Sequence, residues 1–134
     1  MDYQRLQGAI PTTSGRQTVL VVDDQVDLRD AIAVLLECEG YIVVDAENGK
    51  EALKYLQNGT NIAAIVLDLM MPVMDGWQFL AARRRNAAWH QIPTIVVTGV
   101  SESKRRHQEL GDVEVFTKPF HFDELFAALR RSLR

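Results

Sequence analysis

One cysteine, Cys38, is all that the 134-residue sequence contains, so no disulfide can form within the chain and nothing marks an oxidising compartment. No apolar run approaches the roughly 20 residues that span a bilayer. The opening Met1-Asp2-Tyr3-Gln4-Arg5 lacks the basic and then apolar regions of a signal peptide. A cytoplasmic location, without membrane insertion, is the expectation. Positive charge is not in excess either: 15 Lys+Arg against 18 Asp+Glu give a net charge of −3, so direct nucleic-acid binding is not expected. His90, His107 and His121 are scattered over polar stretches and form no metal-binding set. Cys38 lies in an apolar run and reads as a small core or boundary residue.

What is present suits one soluble globular domain long enough to bury a core: 47% hydrophobic and 25% charged residues. Residues 1–17 are polar and irregular, with Pro11-Thr12-Thr13-Ser14-Gly15 at their centre, and read as a flexible N-terminal tail. The folded domain is expected over residues 18–134. There the chain alternates. Val19–Val22 is a continuous β-branched run, as in a strand buried on both faces, and Leu28, Ile32, Leu35 and Leu36 follow at helical spacing up to Gly40. Tyr41–Val44 reads as a second strand. Asn48, with Glu51 three residues on, caps a helix carrying Ala52, Leu53 and Leu56. Ala63–Leu67 is a third strand, and Asp75 with Gln78 caps a helix containing Trp77, Phe79 and Leu80. Pro93–Val97 and Val113–Phe116 complete five strands, separated by a very polar helical segment near Ser101–Leu110. A last helix shows Phe122, Leu125, Phe126, Leu129 and Leu133 on one face.

Five strands alternating with five helices predict an α/β fold, a doubly wound, all-parallel five-stranded sheet, because each crossover must cover a sheet face. The flavodoxin-like strand order 2-1-3-4-5 leads among the few topologies open to right-handed crossovers and short loops. Ligands and chemistry gather at the carboxyl ends of such strands. At those ends stand Asp23-Asp24, Asp68, Thr98-Gly99 and Thr117-Lys118-Pro119. One Asp at a strand end is ordinarily a cap or turn residue. Three at one edge are not needed for capping, and like charges about 4 Å apart repel by roughly 4 kcal/mol at an effective dielectric of 20. A cation would relieve that repulsion, and oxygen-only ligands with room for water suit Mg²⁺.

The blocks Val21-Val22-Asp23-Asp24, Leu67-Asp68-Leu69-Met70-Met71-Pro72 with Asp75-Gly76, Val97-Thr98-Gly99 and Thr117-Lys118-Pro119-Phe120 occur in one order over about residues 18–134. In that order they resemble the signature blocks of response-regulator receiver domains of two-component systems. The resemblance implies that Asp68 is the phosphoacceptor. It implies Mg²⁺ held directly by Asp24, Asp68 and the backbone carbonyl of Met70, with Asp23 acting through a water. Thr98 and Lys118 would each meet a phosphoryl oxygen, and Gly99 would leave room for the group to approach. The donor would be a histidine kinase or phosphotransfer protein. The target would be a protein contacting the face built from the fourth helical segment, the fifth strand and the last helix. On this reading the chain is a signalling domain rather than an enzyme, catalysing only its own phosphorylation and dephosphorylation. A carboxylate is a competent nucleophile toward an activated phosphoryl group, and positioning with electrostatic stabilisation does most of the work.

Departures from the family pattern lie at three places. Gln25 follows the acid pair where an acidic residue is common, which removes a charge and is expected to matter little. Val115 stands where relatives carry a Tyr or Phe that swings inward, and Phe116 points to the other face by strand alternation. The segment Ser101–Leu110 has little apolar face and is short for the family. Arg83-Arg84-Arg85 and Lys104-Arg105-Arg106 read as solvated helix faces, the latter available to an acidic partner. Two rival readings compete. A pseudo-receiver that never takes phosphate predicts loss of Asp24, Asp68, Thr98 or Lys118, and all are present. A flavin carrier or aspartyl-phosphate hydrolase of the same fold predicts a phosphate-cradling loop after the first strand, where Asp23-Asp24 stand instead. If the sequence is complete, a stand-alone regulator resembling chemotaxis regulators, or a middle carrier of a phosphorelay, is expected; a receiver cut from a larger protein is the alternative.

Overall fold

The structure is a computed structural model that describes residues 15–99, 110–111 and 113–133. Five strands, β1 (Thr18–Val22), β2 (Ile42–Ala46), β3 (Ala64–Leu67), β4 (Thr94–Thr98) and β5 (Glu114–Thr117), form one sheet. All neighbours run parallel, in the order β2-β1-β3-β4-β5, which is the order the sequence predicts. The described helices are α1 (Val26–Cys38), α2 (Gly49–Gln57), α3 (Gly76–Arg85) and a C-terminal helix, Phe122–Ser132. Among the described residues no helix is long and apolar enough to cross a membrane.

Strand alternation sends successive residues to opposite faces, and each face has its own core. On one side Leu20, Val22, Ile65, Leu67 and Val96 pack beneath Ala52 and Leu56 of α2 and Phe79 and Leu80 of α3. On the other, Val19, Val21, Val66, Ile95 and Val97 meet Ile32 and Leu36 of α1 and Leu125, Ala128 and Leu129 of the C-terminal helix. Val115 packs on the first side and Phe116 on the second, so the aromatic ring of β5 faces away from α2 and α3, as alternation predicts.

Helix starts follow the local chemistry. The Asn48 side chain accepts the Glu51 N–H at 2.9 Å. Asp75 and Gln78 form a reciprocal capping box, at 2.9 and 3.0 Å. Two expectations are corrected. Cys38 is exposed, not core: it stands about 200° around α1 from the inward-facing Leu36. Arg83 is not solvated. It lies on the helix face of Phe79 and Leu80, is 2% exposed, and donates from Nε and Nη2 to the Ile92 carbonyl at 3.1 and 2.8 Å. Arg84 and Arg85 are exposed as expected. The expected polar helix near Ser101–Leu110, with Lys104-Arg105-Arg106, lies outside the described residues except for Leu110, which is buried in the first core. Most of the expected tail, residues 1–14, also lies outside them.

Candidate functional site

The parallel ladder itself builds the site. Asp23 leaves β1 with its N–H donating to the Ala46 carbonyl at 3.1 Å, and the Asp68 N–H donates to the Val22 carbonyl at 2.9 Å. These bonds set the two aspartates side by side at the strand ends. Both are buried, at 3% and 5% exposure, whereas Asp24 is exposed. Thr98 ends β4 fully buried, and its carbonyl accepts the Lys118 N–H at 2.9 Å. That bond brings the lysine from the sheet edge to the acids, just before a cis peptide to Pro119.

The Lys118 ammonium sits among three acceptors. Its Nζ is 3.2 Å from Asp23 Oδ2, 3.5 Å from Asp68 Oδ2 and 3.0 Å from Gln25 Oε1. The second Asp23 oxygen accepts the Gln25 N–H at 2.8 Å. Asp24, Gln25, Asp68, Met70, Gly99 and Lys118 line an open cavity of about 290 Å³. A Cβ built on Gly99 would approach the Lys118 side chain no closer than 3.9 Å, so this end of the cavity is loosely filled.

Burial is the main force on Asp68. It pushes the carboxyl from its ordinary 3.8 up to about 6; the Asp23 charge adds to the rise, while Lys118 and the Met70 N–H, 3.4 Å from Oδ1, oppose it. One ammonium among three acids leaves the cluster short of positive charge. One carboxylate oxygen each from Asp23, Asp24 and Asp68 lies within 4.8 Å of the others. Such a donor set, all oxygen and open to solvent on the Asp24 side, fits a hard divalent cation that keeps several waters, such as Mg²⁺.

The loop after Asp68 is held at both ends. The Met74 carbonyl accepts the Gly49 N–H at 2.8 Å, and the Gly76 N–H donates to the Leu69 carbonyl at 2.9 Å. Between them Val73 adopts φ 69°, uncommon for a β-branched residue, and is 74% exposed. Gly76 is required sterically, because a Cβ there would collide with the Asp68 carbonyl oxygen and lie 2.7 Å from Leu69 Cα.

Asp24, Asp68, Met70, Gly99 and Lys118 thus line one cavity, Asp23 is bonded to the lysine, and Thr98 is buried at the end of β4 next to Gly99. Sequence reasoning set aside Gln25, which is in contact with the lysine. The available signal was its position: Gln25 is the N-cap of α1 but makes no side-chain cap bond, and glutamine is a poor capping residue.

Comparison with known proteins places the family. Residues 19–130 match the family described as response regulator receiver domain. The chain is 35% identical over 119 residues to the response regulator Rre1 of Synechocystis, covering 87% of this chain and 51% of that protein. It spans about half the length of the curated relatives it matches first. Among solved structures, the chemotaxis protein CheY4 of Vibrio cholerae superposes with a TM-score of 0.79 at 31% identity, covering 89% of this chain and 100% of that one. The response regulator TrrA of Thermotoga maritima, solved in complex with Mg²⁺–BeF, gives 0.76 at 32% identity, covering 87% and 99%. A parallel sheet in this strand order, an acid cluster at its carboxyl edge and a family match over most of the chain lead to one assignment: the chain belongs to the response regulator receiver domains of two-component signalling.

Proposed function

We propose that Asp68 accepts a phosphoryl group from a histidine kinase or phosphotransfer protein, in a Mg²⁺-dependent reaction, and that the modified chain signals through altered protein contacts in the cytoplasm. One observation carries the reading: a buried carboxylate, short of positive charge, faces an ammonium at 3.5 Å across an open cavity. An ionised Asp68 oxygen attacks phosphorus, the phosphorus–nitrogen bond to the donor histidine breaks, and the imidazole keeps the electron pair. With its carboxyl at about 6, Asp68 is mostly ionised at neutral pH yet poorly solvated, which suits a nucleophile. Asp24, Asp68 and the Met70 carbonyl would hold Mg²⁺, with Asp23 behind a water. The bound ion supplies charge neutralisation for the transferring oxygens. Lys118 donates to one phosphoryl oxygen and the Thr98 hydroxyl to another.

The output surface in this reading is the face of β5, the C-terminal helix and the segment preceding β5, most of which lies outside the described residues. The chain turns over no substrate other than its own aspartyl phosphate. Incubation with acetyl phosphate and Mg²⁺, followed by intact-mass measurement, is expected to add one phosphoryl group to the wild type. No addition is expected for Asp68→Asn, or for the wild type in EDTA. Equal labelling of Asp68→Asn would overturn the assignment.

A further inference from the structure

Gln25 stands at an unusual junction. Its backbone N–H holds Asp23 Oδ1 at 2.8 Å, its carbonyl accepts the Arg29 N–H at 2.9 Å to open α1, and its side-chain oxygen accepts from Lys118 Nζ at 3.0 Å. Among the described residues the last is the shortest of the three contacts at that ammonium. As N-cap of α1, Gln25 is placed to bond the free N–H groups of the first turn, and its side chain does not do so. The helix therefore forgoes a cap while the lysine gains a ligand. An ammonium has three N–H donors, and Asp23, Asp68 and Gln25 supply three acceptors.

We propose that Gln25 is a positioning residue for phosphoryl transfer, steering Lys118 over Asp68 through a side-chain acceptor that yields when the phosphoryl group arrives. The proposal rests on the reading of Asp68 as phosphoacceptor. Of the three acceptors only Gln25 is neutral, so it holds the ammonium least strongly against a phosphoryl oxygen. A carboxylate at the same place would still offer Lys118 an acceptor. A side chain of equal length without an acceptor would leave one ammonium hydrogen unheld and Lys118 free to leave Asp68.

Two variants separate these effects. Gln25→Met keeps length and removes the acceptor; Gln25→Glu keeps the acceptor and adds charge. Because Gln25 is exposed and makes no cap bond, both should fold, which thermal unfolding checks. Labelling by acetyl phosphate with Mg²⁺ is followed by intact mass at low and high salt; a small donor avoids any change in protein docking. Gln25→Met is expected to slow labelling about threefold to tenfold at both salt concentrations. Gln25→Glu, which keeps an oxygen acceptor of the same reach, is expected to stay within about threefold of the wild type at both. A merely structural role would show no such split. If the wild type is labelled at Asp68 and both variants match it within twofold, the role of Gln25 is overturned and Asp68 stands. An unlabelled wild type would overturn the reading of Asp68, and the role of Gln25 with it.

Discussion

The central strands and the edge strands of this sheet are built to different standards. Every residue of β3 and β4 is buried, and so are Val19–Val22 of β1. In β2 only Ala46 is fully buried, and in β5 no residue is. The aspartates ride on the central strands, the lysine on an edge strand. Hydrogen-bonded ladders on both sides hold Asp23 and Asp68 at a separation their charges resist. Lys118 reaches them from a strand with one neighbour, at the end of a long side chain that is 19% exposed. The acids are fixed and the ammonium is adjustable. That division suits a site in which the lysine has to meet a group that comes and goes.

Substitutions can break or sharpen this contrast. The largest expected effect is at the centre: Leu67→Ala, at a fully buried β3 position, should cost about 3–4 kcal/mol of stability in urea unfolding, from lost burial and the cavity left behind. A cost under 1 kcal/mol would mean that the central ladder is not the rigid part.

Next comes the strain stored in the acids. The folded state holds the Asp68 proton to about pH 6, whereas the unfolded chain releases it near 3.8. Between those values the folded state binds more protons, so this carboxyl lowers stability as pH rises from about 4 to about 6 and leaves it lower above. The deficit is at most about 3 kcal/mol. In EDTA at pH 7, Asp68→Asn should therefore be more stable than wild type by on the order of 1–3 kcal/mol, with the gain vanishing near pH 4. Adding Mg²⁺ should raise the melting temperature of the wild type and leave that of Asp68→Asn nearly unchanged.

Lys118→Ala should slow labelling by acetyl phosphate at least tenfold, equivalent to about 1.4 kcal/mol or more in the barrier, with a loss of stability smaller than that of Leu67→Ala. A large loss of stability would place the lysine among the fixed parts. The smallest effect belongs to the edge core. Val115→Ala, half-buried on β5, should cost no more than about 1 kcal/mol.

The same contrast explains what could be read in advance. Strands buried on both faces leave unbroken apolar runs, so Val19–Val22, Ile65–Leu67 and Ile95–Val97 were legible, and with them the strand order and the acids at their ends. The caps at Asn48 and Asp75 were legible because short polar side chains have few other uses before an apolar helix. Strand ends shifted by a residue or two at the edges, as with β2, found at Ile42–Ala46 rather than Tyr41–Val44. Arg83 was misjudged and the Gln25 contact passed over for one shared reason. Each is a long polar side chain whose partner, the Ile92 carbonyl or Lys118, is close only after folding. Composition could not show that the middle of the fold had a use for either. Glu51 is a smaller case: its carboxylate reaches the Glu47 N–H at 3.0 Å, not the Asn48 N–H that a reciprocal box requires.

The helix after the Asp68 loop is clamped twice. At its start Gly76 leaves no space for a side chain between the helix and the Asp68 backbone, and at its end Arg83 grips the carbonyl of Ile92, just ahead of β4. Anyone transplanting this site into another scaffold, or randomising α3 to alter recognition, inherits that arrangement. Libraries that vary Gly76 would shift the nucleophile itself, and those that vary Arg83 would loosen the helix from the far end of the sheet. Arg85, exposed just past the second clamp, is where new sequence can be written without moving the chemistry.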